Sequence, residues 1–164
     1  MATATDDAIQ GFDGTPTEVI SQTADVADDE TVGGQTVFDN TSDLWTYAIA
    51  TLFVTSFGAD PSSGTVDLYC MKGNIGSGAE DEDAGGITYG TALTTTNNET
   101  QTAGLHYMGT YSFDVDTGAQ RRAITIPLVG IKEAYFYIKN TTGTSLGQPI
   151  TVDIEGGTYT PRPA

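Results

Sequence analysis

Among 164 residues there is one cysteine, one histidine, one tryptophan and only six lysines and arginines. Each scarcity removes a class of chemistry. Cys70 alone cannot form an intrachain disulfide, and His106 alone cannot supply a two-histidine metal motif. The two together fall short of a Cys/His zinc site. A Ser-His-Asp triad would need His106 as its base, yet no Gly-x-Ser-x-Gly elbow follows an apolar strand. Gly76-Ser77-Gly78 has the wrong spacing and lies in an acidic stretch. His106 is therefore read as a solvent-facing strand residue. Cys70, in phase with Val66 and Leu68, is read as a small buried thiol in a chain that folds in a reducing compartment. Gly73 to Gly78 is glycine-rich but lacks the Lys-Ser/Thr of a phosphate cradle. One tryptophan and no cluster of aromatic and acidic residues leave no sugar cleft for paired-carboxylate hydrolysis. No enzyme and no cofactor are expected.

Long apolar runs are also missing. The longest stretch without a charge, Leu44 to Ala59, is interleaved with Thr and Ser and is too short to cross a bilayer. Met1 to Asp7 has neither a basic residue nor an apolar stretch, so no secretory signal is expected. No 3.6-residue periodicity of useful length occurs, and charged residues make up only 17 %, too few for a solvating disordered tail.

Acidic charge is what the chain has in excess. The formal net charge is −16, and residues 1–100 account for it, with 17 of the 22 acids and only Lys72 among the bases. Such a surface repels phosphate backbones and anionic lipids, so neither nucleic acid nor membrane is an expected partner. A basic protein surface would be attracted. Three Asn-x-Ser/Thr sequons (Asn40, Asn98, Asn140) are read as chance in a Thr-rich chain.

Period-two alternation fills much of the rest. Trp45, Tyr47, Ile49, Phe53 and Phe57 fall on one face of a long run, with Leu44, Ala48, Leu52 and Val54 on the other, so both faces are expected to be partly covered. Thr65–Met71 forms a strand, as do the alternations around Tyr107–Phe113, Ile124–Leu128, Ala134–Ile138 and Ile150–Ile154. In the fourth run of that series, Phe136 and Ile138 face the core, which turns Tyr135 and Tyr137 outward beside Lys132 and Lys139. Pro127 belongs at an edge or a strand end. The expected fold is all-β, a single jelly-roll-like β-sandwich over residues 35–157. An extended acidic arm, 1–34, precedes it, with one short strand at Thr17–Gln22; an acidic Gly/Thr-rich loop, 73–103, interrupts it; and a tail, 158–164, follows.

Site candidates are few. Asp81-x-Asp83 and Asp114-x-Asp116 open like calcium loops, but position twelve is Ala92 in one and Thr125 in the other. Solvated acidic turns are the simpler reading. Asp81 and Asp83 stay as the metal candidates, and no dedicated metal site is expected. Tyr135, Tyr137, Lys132 and Lys139 have the composition of a protein interface. Val19 and Ile20 are the apolar residues of the arm through which it would touch a neighbour.

Several segments then align in order: Phe38-Asp39-Asn40-Thr41, Gly64-Thr65-Val66-Asp67-Leu68-Tyr69, a strand containing Gly109, Arg121 to Leu128, and Tyr135 to Gly143. Across residues 36–145 this order resembles small virion structural proteins encoded among the morphogenesis genes of tailed bacteriophages. The resemblance implies an outer capsid decoration or cement protein, made in the host cytoplasm and carried on the virion surface. Its partners would be the major capsid protein or another virion protein, and it would assemble as a homo-oligomer. The alternatives are a tail, collar or head-fibre-base component, and a carbohydrate-binding adhesin module.

Overall fold

Alternation of apolar and polar side chains forces two half-apolar sheets to cover each other, and that is the architecture observed. The computed structural model describes residues 9–12, 15–61, 64–73 and 105–160. Its strands are β1 (Ile9–Phe12), β2 (Thr17–Gln22), β3 (Thr31–Asp39), β4 (Tyr47–Phe57), β5 (Thr65–Gly73), β6 (His106–Ser112), β7 (Gln120–Pro127), β8 (Glu133–Thr141) and β9 (Leu146–Thr160). One sheet runs β1-β9-β4-β7 with β2 also on β9, and the other runs β3-β8-β5-β6. Every pairing is antiparallel. With β1 set aside, the order 2-9-4-7 over 3-8-5-6 is the wiring of a jelly roll. The expected all-β sandwich is thus the fold.

The core lies between the sheets. Ala48, Ala50, Leu52 and Val54 of β4 and Ile150, Val152 and Ile154 of β9 meet Val66 and Leu68 of β5 and Phe136 and Ile138 of β8. None of these is more than 1 % exposed, and each large side chain contributes about 1.5–3 kcal/mol by leaving water. Cys70 is buried among them, as expected, with its thiol 3.4 Å from the Met108 sulfur.

Three bulges change which residues face inward. Between Val54 and Ser56 the β4–β9 register slips, so Phe57 joins the core while Ile49 and Phe53 stay half-buried outside. The expected aromatic face is split at that point. A second slip, at Leu68/Tyr69 in the β5–β6 ladder, turns Tyr107 outward and Tyr111 inward, although they are in phase in the sequence. A third, between Glu18 and Ile20, allows consecutive residues Val19 and Ile20 both to be fully buried.

That third bulge bears on the expected arm. β2 is a member of the first sheet, and β3 already begins at Thr31, so the sandwich reaches well ahead of residue 35. The short strand at Thr17–Gln22 is present, but as part of the body. Val26 is also buried and bridges to Leu146. Of the expected loop 73–103, Gly73 ends β5 and the rest lies outside the described residues; of the expected tail 158–164, the first three residues belong to β9, and 161–164, like residues 1–8, lie outside them.

The open edges, β7 and β6, are bound to each other by one side chain. Arg122 donates from Nε to the Ser112 carbonyl (2.9 Å), from Nη1 to the Arg121 carbonyl (3.1 Å), and from Nη2 to Asp114 Oδ2 (2.6 Å) and Gln120 Oε1 (2.8 Å). Its guanidinium also lies 5.9 Å from the centroid of the Phe113 ring. Carbonyls of an unpaired edge are a template for aggregation, and here a guanidinium occupies two of them. Pro127 ends β7, the edge position its missing N–H requires.

Candidate functional site

Among the described residues the two ends of the sandwich differ in chemistry. At one end the loops 23–30, 58–64, 113–119 and 142–145 carry Asp25, Asp28, Asp29, Glu30, Asp60, Asp114 and Asp116. Most of these carboxylates hold turns. Asp25 Oδ1 accepts from the Gln148 amide (3.1 Å), Asp28 Oδ1 from Gly143 (2.9 Å), Glu30 Oε2 from Ala27 (2.7 Å) and Asp116 Oδ1 from Gly118 (2.9 Å). Asp114 pairs with Arg122, and Asp29 lies 4.0 Å from Lys139. The Asp114-x-Asp116 turn therefore points a carboxylate at its own backbone. Among the described residues no group of three metal-ligating side chains converges. Asp81 and Asp83 lie outside the described residues.

Two buried asparagines fasten the loops, one at each end. Asn140 is fully buried at the acidic end, and Asn40, 1 % exposed, lies at the other. Both head sequons, and their burial excludes a glycan on the folded chain. Asn98 is outside the described residues.

At Asn40 the geometry builds a cleft. Its Nδ2 donates to the carbonyls of Trp45 and Ile131 (3.0 Å each), and its Oδ1 accepts from the Trp45 amide (2.7 Å). This ties loop 40–46 to loop 128–132 and leaves between them a cavity of about 190 Å³. Leu44, Trp45, Leu128, Val129, Ile131 and Lys132 are in its lining. Trp45 lies across the backbone of Gly156, where the indole leaves no room for a β-carbon. Two aliphatic residues of the lining face water: Leu44 is 64 % and Val129 75 % exposed. Leu44 also has a φ of 51°, a left-handed conformation that costs a branched side chain on the order of 1–2 kcal/mol. Exposure and strain together at one leucine weaken the fold locally while presenting an apolar group.

A second surface is the outer face of the β3-β8-β5-β6 sheet. Register places Tyr137, Tyr69 and Tyr107 side by side across β8, β5 and β6, with Lys139, Asp67 and Thr110 in the next row. Tyr69 and Tyr107 meet edge to face at 5.8 Å. The expected interface is only partly available here. Tyr137 is fully buried with Met71 and Leu105, Tyr135 is half-buried against them, and Lys139 has a side chain only 13 % exposed. Val19 and Ile20 are core residues with no surface at all. Of the six interface candidates, Lys132 alone is exposed, at the cleft. His106 is half-buried opposite Cys70, not solvent-facing as expected.

Burial raises the pKa of Tyr137 to about 12, with the nearby Tyr135 adding to the rise. Tyr69 is raised by burial and then by Asp67 and Tyr107, and burial pushes Tyr111 higher still. A phenol whose folded pKa exceeds its unfolded value of 10 favours folding fully below pH 10, and that contribution is lost as pH rises toward 12. Stability is therefore expected to fall between pH 10 and 12. Denaturant midpoints across that window check this, and Tyr137→Phe should flatten the slope.

Sequence reasoning overlooked Leu44, Trp45 and Val129 as a set. The available signal was an apolar pair, Leu44-Trp45, directly after Thr41-Ser42-Asp43, where a turn needs no apolar group. Fold and cleft together define a jelly-roll sandwich with an apolar cleft at one end. No protein-family model matches the chain, and a search of curated proteins finds none similar to it.

Proposed function

We propose that this chain is a non-catalytic structural protein of a tailed-bacteriophage virion, an outer capsid decoration or cement protein. It grips the shell through the Leu44–Val129 end. The observation that carries this reading is the pair of exposed aliphatic residues around an apolar cleft, 64 % and 75 % open to water. Exposed apolar surface beside a cleft supports a docking role for this end. The ordered resemblance over residues 36–145 supports the virion assignment. Jelly rolls recur in viral capsid and lectin domains, which supports it by analogy only. In this reading the work is mechanical: interface area added across neighbouring subunits resists outward pressure from packaged DNA. Homo-oligomers bound to the major capsid protein would supply that area. The acidic surface keeps the protein off nucleic acid and favours the outer side.

The test is co-sedimentation of the purified protein with intact particles, followed by antibody labelling. Pelleting with external label over the head is expected. Protein left in the supernatant, or a label confined to the interior, would overturn the reading, and a label on the tail would favour the tail or collar variant.

One observation favours a second reading, a carbohydrate-binding module. Tyr107 is 59 % exposed, and its hydroxyl is hydrogen-bonded to Thr110, whose hydroxyl donates to Asp67. An aromatic face beside a carboxylate suits a sugar ring. Chelator-insensitive binding on a glycan array, lost in Tyr107→Ala, would favour this reading over the first.

A further inference from the structure

The cleft's own chemistry narrows its partner, given the adhesive reading of the same end. We propose that it receives one aliphatic side chain from an extended protein segment that carries lysine or arginine next to it, on the side facing Asp39 and Asp43. The cavity, about 190 Å³, exceeds the ~150 Å³ apolar cavity that accepts a benzene ring, so one branched side chain fits. The Asn40 amide and several backbone groups beside the cleft are already paired, which leaves the Thr46 hydroxyl and the Lys132 ammonium as polar side-chain groups of the lining. The Asn40 amide is spent on Trp45 and Ile131, the Thr46 carbonyl accepts from Leu128 (2.9 Å), and the Ile131 amide donates to the Leu128 carbonyl (2.9 Å). An apolar occupant loses nothing by that, whereas a saccharide or a nucleotide would leave most of its polar groups against aliphatic walls, with only Thr46 and Lys132 to meet them.

Charge selects what flanks the occupant. Asp43 precedes Leu44 at the rim, and Asp39 precedes Asn40; both are exposed. Lys132 is the cation of the lining and lies on the other loop. The partner's cations are thereby directed to the Asp39–Asp43 side. A net charge of −16 draws a basic segment in from a distance and disfavours a second copy of this chain as the occupant.

Trp45 is the only tryptophan and lines the cleft, so its fluorescence reports occupancy. The probe is a blocked pentapeptide with leucine between two pairs of lysines. It should shift Trp45 emission saturably, whereas the same peptide with glutamine at its centre should not. Glutamate in place of lysine should weaken the response about tenfold, and Val129→Asp should abolish it. Leu44→Asn should weaken binding about tenfold while raising Tm, because asparagine tolerates a φ of 51° better than leucine does. No shift with the lysine-leucine peptide, an equal shift with the glutamine peptide, or a Leu44→Asn variant that loses Tm along with binding would each overturn the proposal. None of these arms uses particles. Co-sedimentation without peptide binding therefore defeats this inference alone, and peptide binding without co-sedimentation defeats only the virion reading.

Discussion

A chain shortened by its first thirty residues is expected to lose its cooperative fold, not merely an appendage. The deletion removes β2 from the edge of β9 and takes Val19, Ile20 and Val26, all 0 % exposed, out of the core. Three such side chains contribute about 5–9 kcal/mol by burial, against a total stability of roughly 5–15 kcal/mol for a domain. The loss does not end there. Ile150, Val152 and Ile154 would be left beside a vacated edge, and the ladder groups of β9 that face β2 would be left to water. The deletion also takes out Ala27 and Glu30, whose carbonyls accept from Asn140. Far-UV circular dichroism during heating, with size-exclusion chromatography, checks this. A sharp transition within a few degrees of the full chain would show that β2 is dispensable.

Replacing Asn140 by alanine is expected to be the most damaging single polar substitution, costing on the order of 3–5 kcal/mol. Its Nδ2 donates to the carbonyls of Val26 (3.1 Å), Ala27 (3.0 Å) and Thr144 (2.7 Å), and its Oδ1 accepts from the Thr142 amide (3.0 Å) and hydroxyl (2.7 Å). The residue's own amide and carbonyl bind Glu30 and Asp29. One side chain thus joins the β2–β3 loop to the β8–β9 turn where water does not reach. Alanine would orphan the Thr142 amide in a buried place and release two loops together. Aspartate keeps the acceptor but has no donor, and it would bring an uncompensated charge, so Asn140→Asp should be no better. Denaturant midpoints for the two variants and for Thr142→Ala, expected near 1 kcal/mol, would separate the network from the turn. A loss below about 1 kcal/mol in Asn140→Ala would mean that water replaces the amide there.

Much of this architecture was legible because the β-sandwich period is short and repeats locally. Ile150, Val152 and Ile154 point one way on any antiparallel strand, as do Phe136 and Ile138, and both runs are buried as expected. What was not legible depends on phase or on distance. The bulges beside Ile20, Val54 and Tyr69 each move one residue out of step, and nothing in the neighbouring letters announces a bulge that the opposing strand imposes. Thus Phe57 and Tyr107 leave the faces on which strict alternation puts them. β2 looked like an isolated patch because its partner begins at Ile150, far along the chain. The cleft was hidden for a third reason. Asn40 reads as a chance sequon, whereas its amide bridges to Ile131 across 91 positions. That bridge, with the Leu128–Thr46 and Asn40–Lys132 backbone bonds, brings Leu44 and Val129 to one rim.

Pairing between β2 and β9 also sets a timetable for synthesis. Val19 and Ile20 emerge from the ribosome long before Ile154 and Val152 exist to receive them. At ~5–20 residues per second the nascent segment waits roughly 7–25 s without its partner. Glu18, Asp25, Asp28 and Asp29 stand close around that greasy pair in the sequence and act as gatekeepers while it waits.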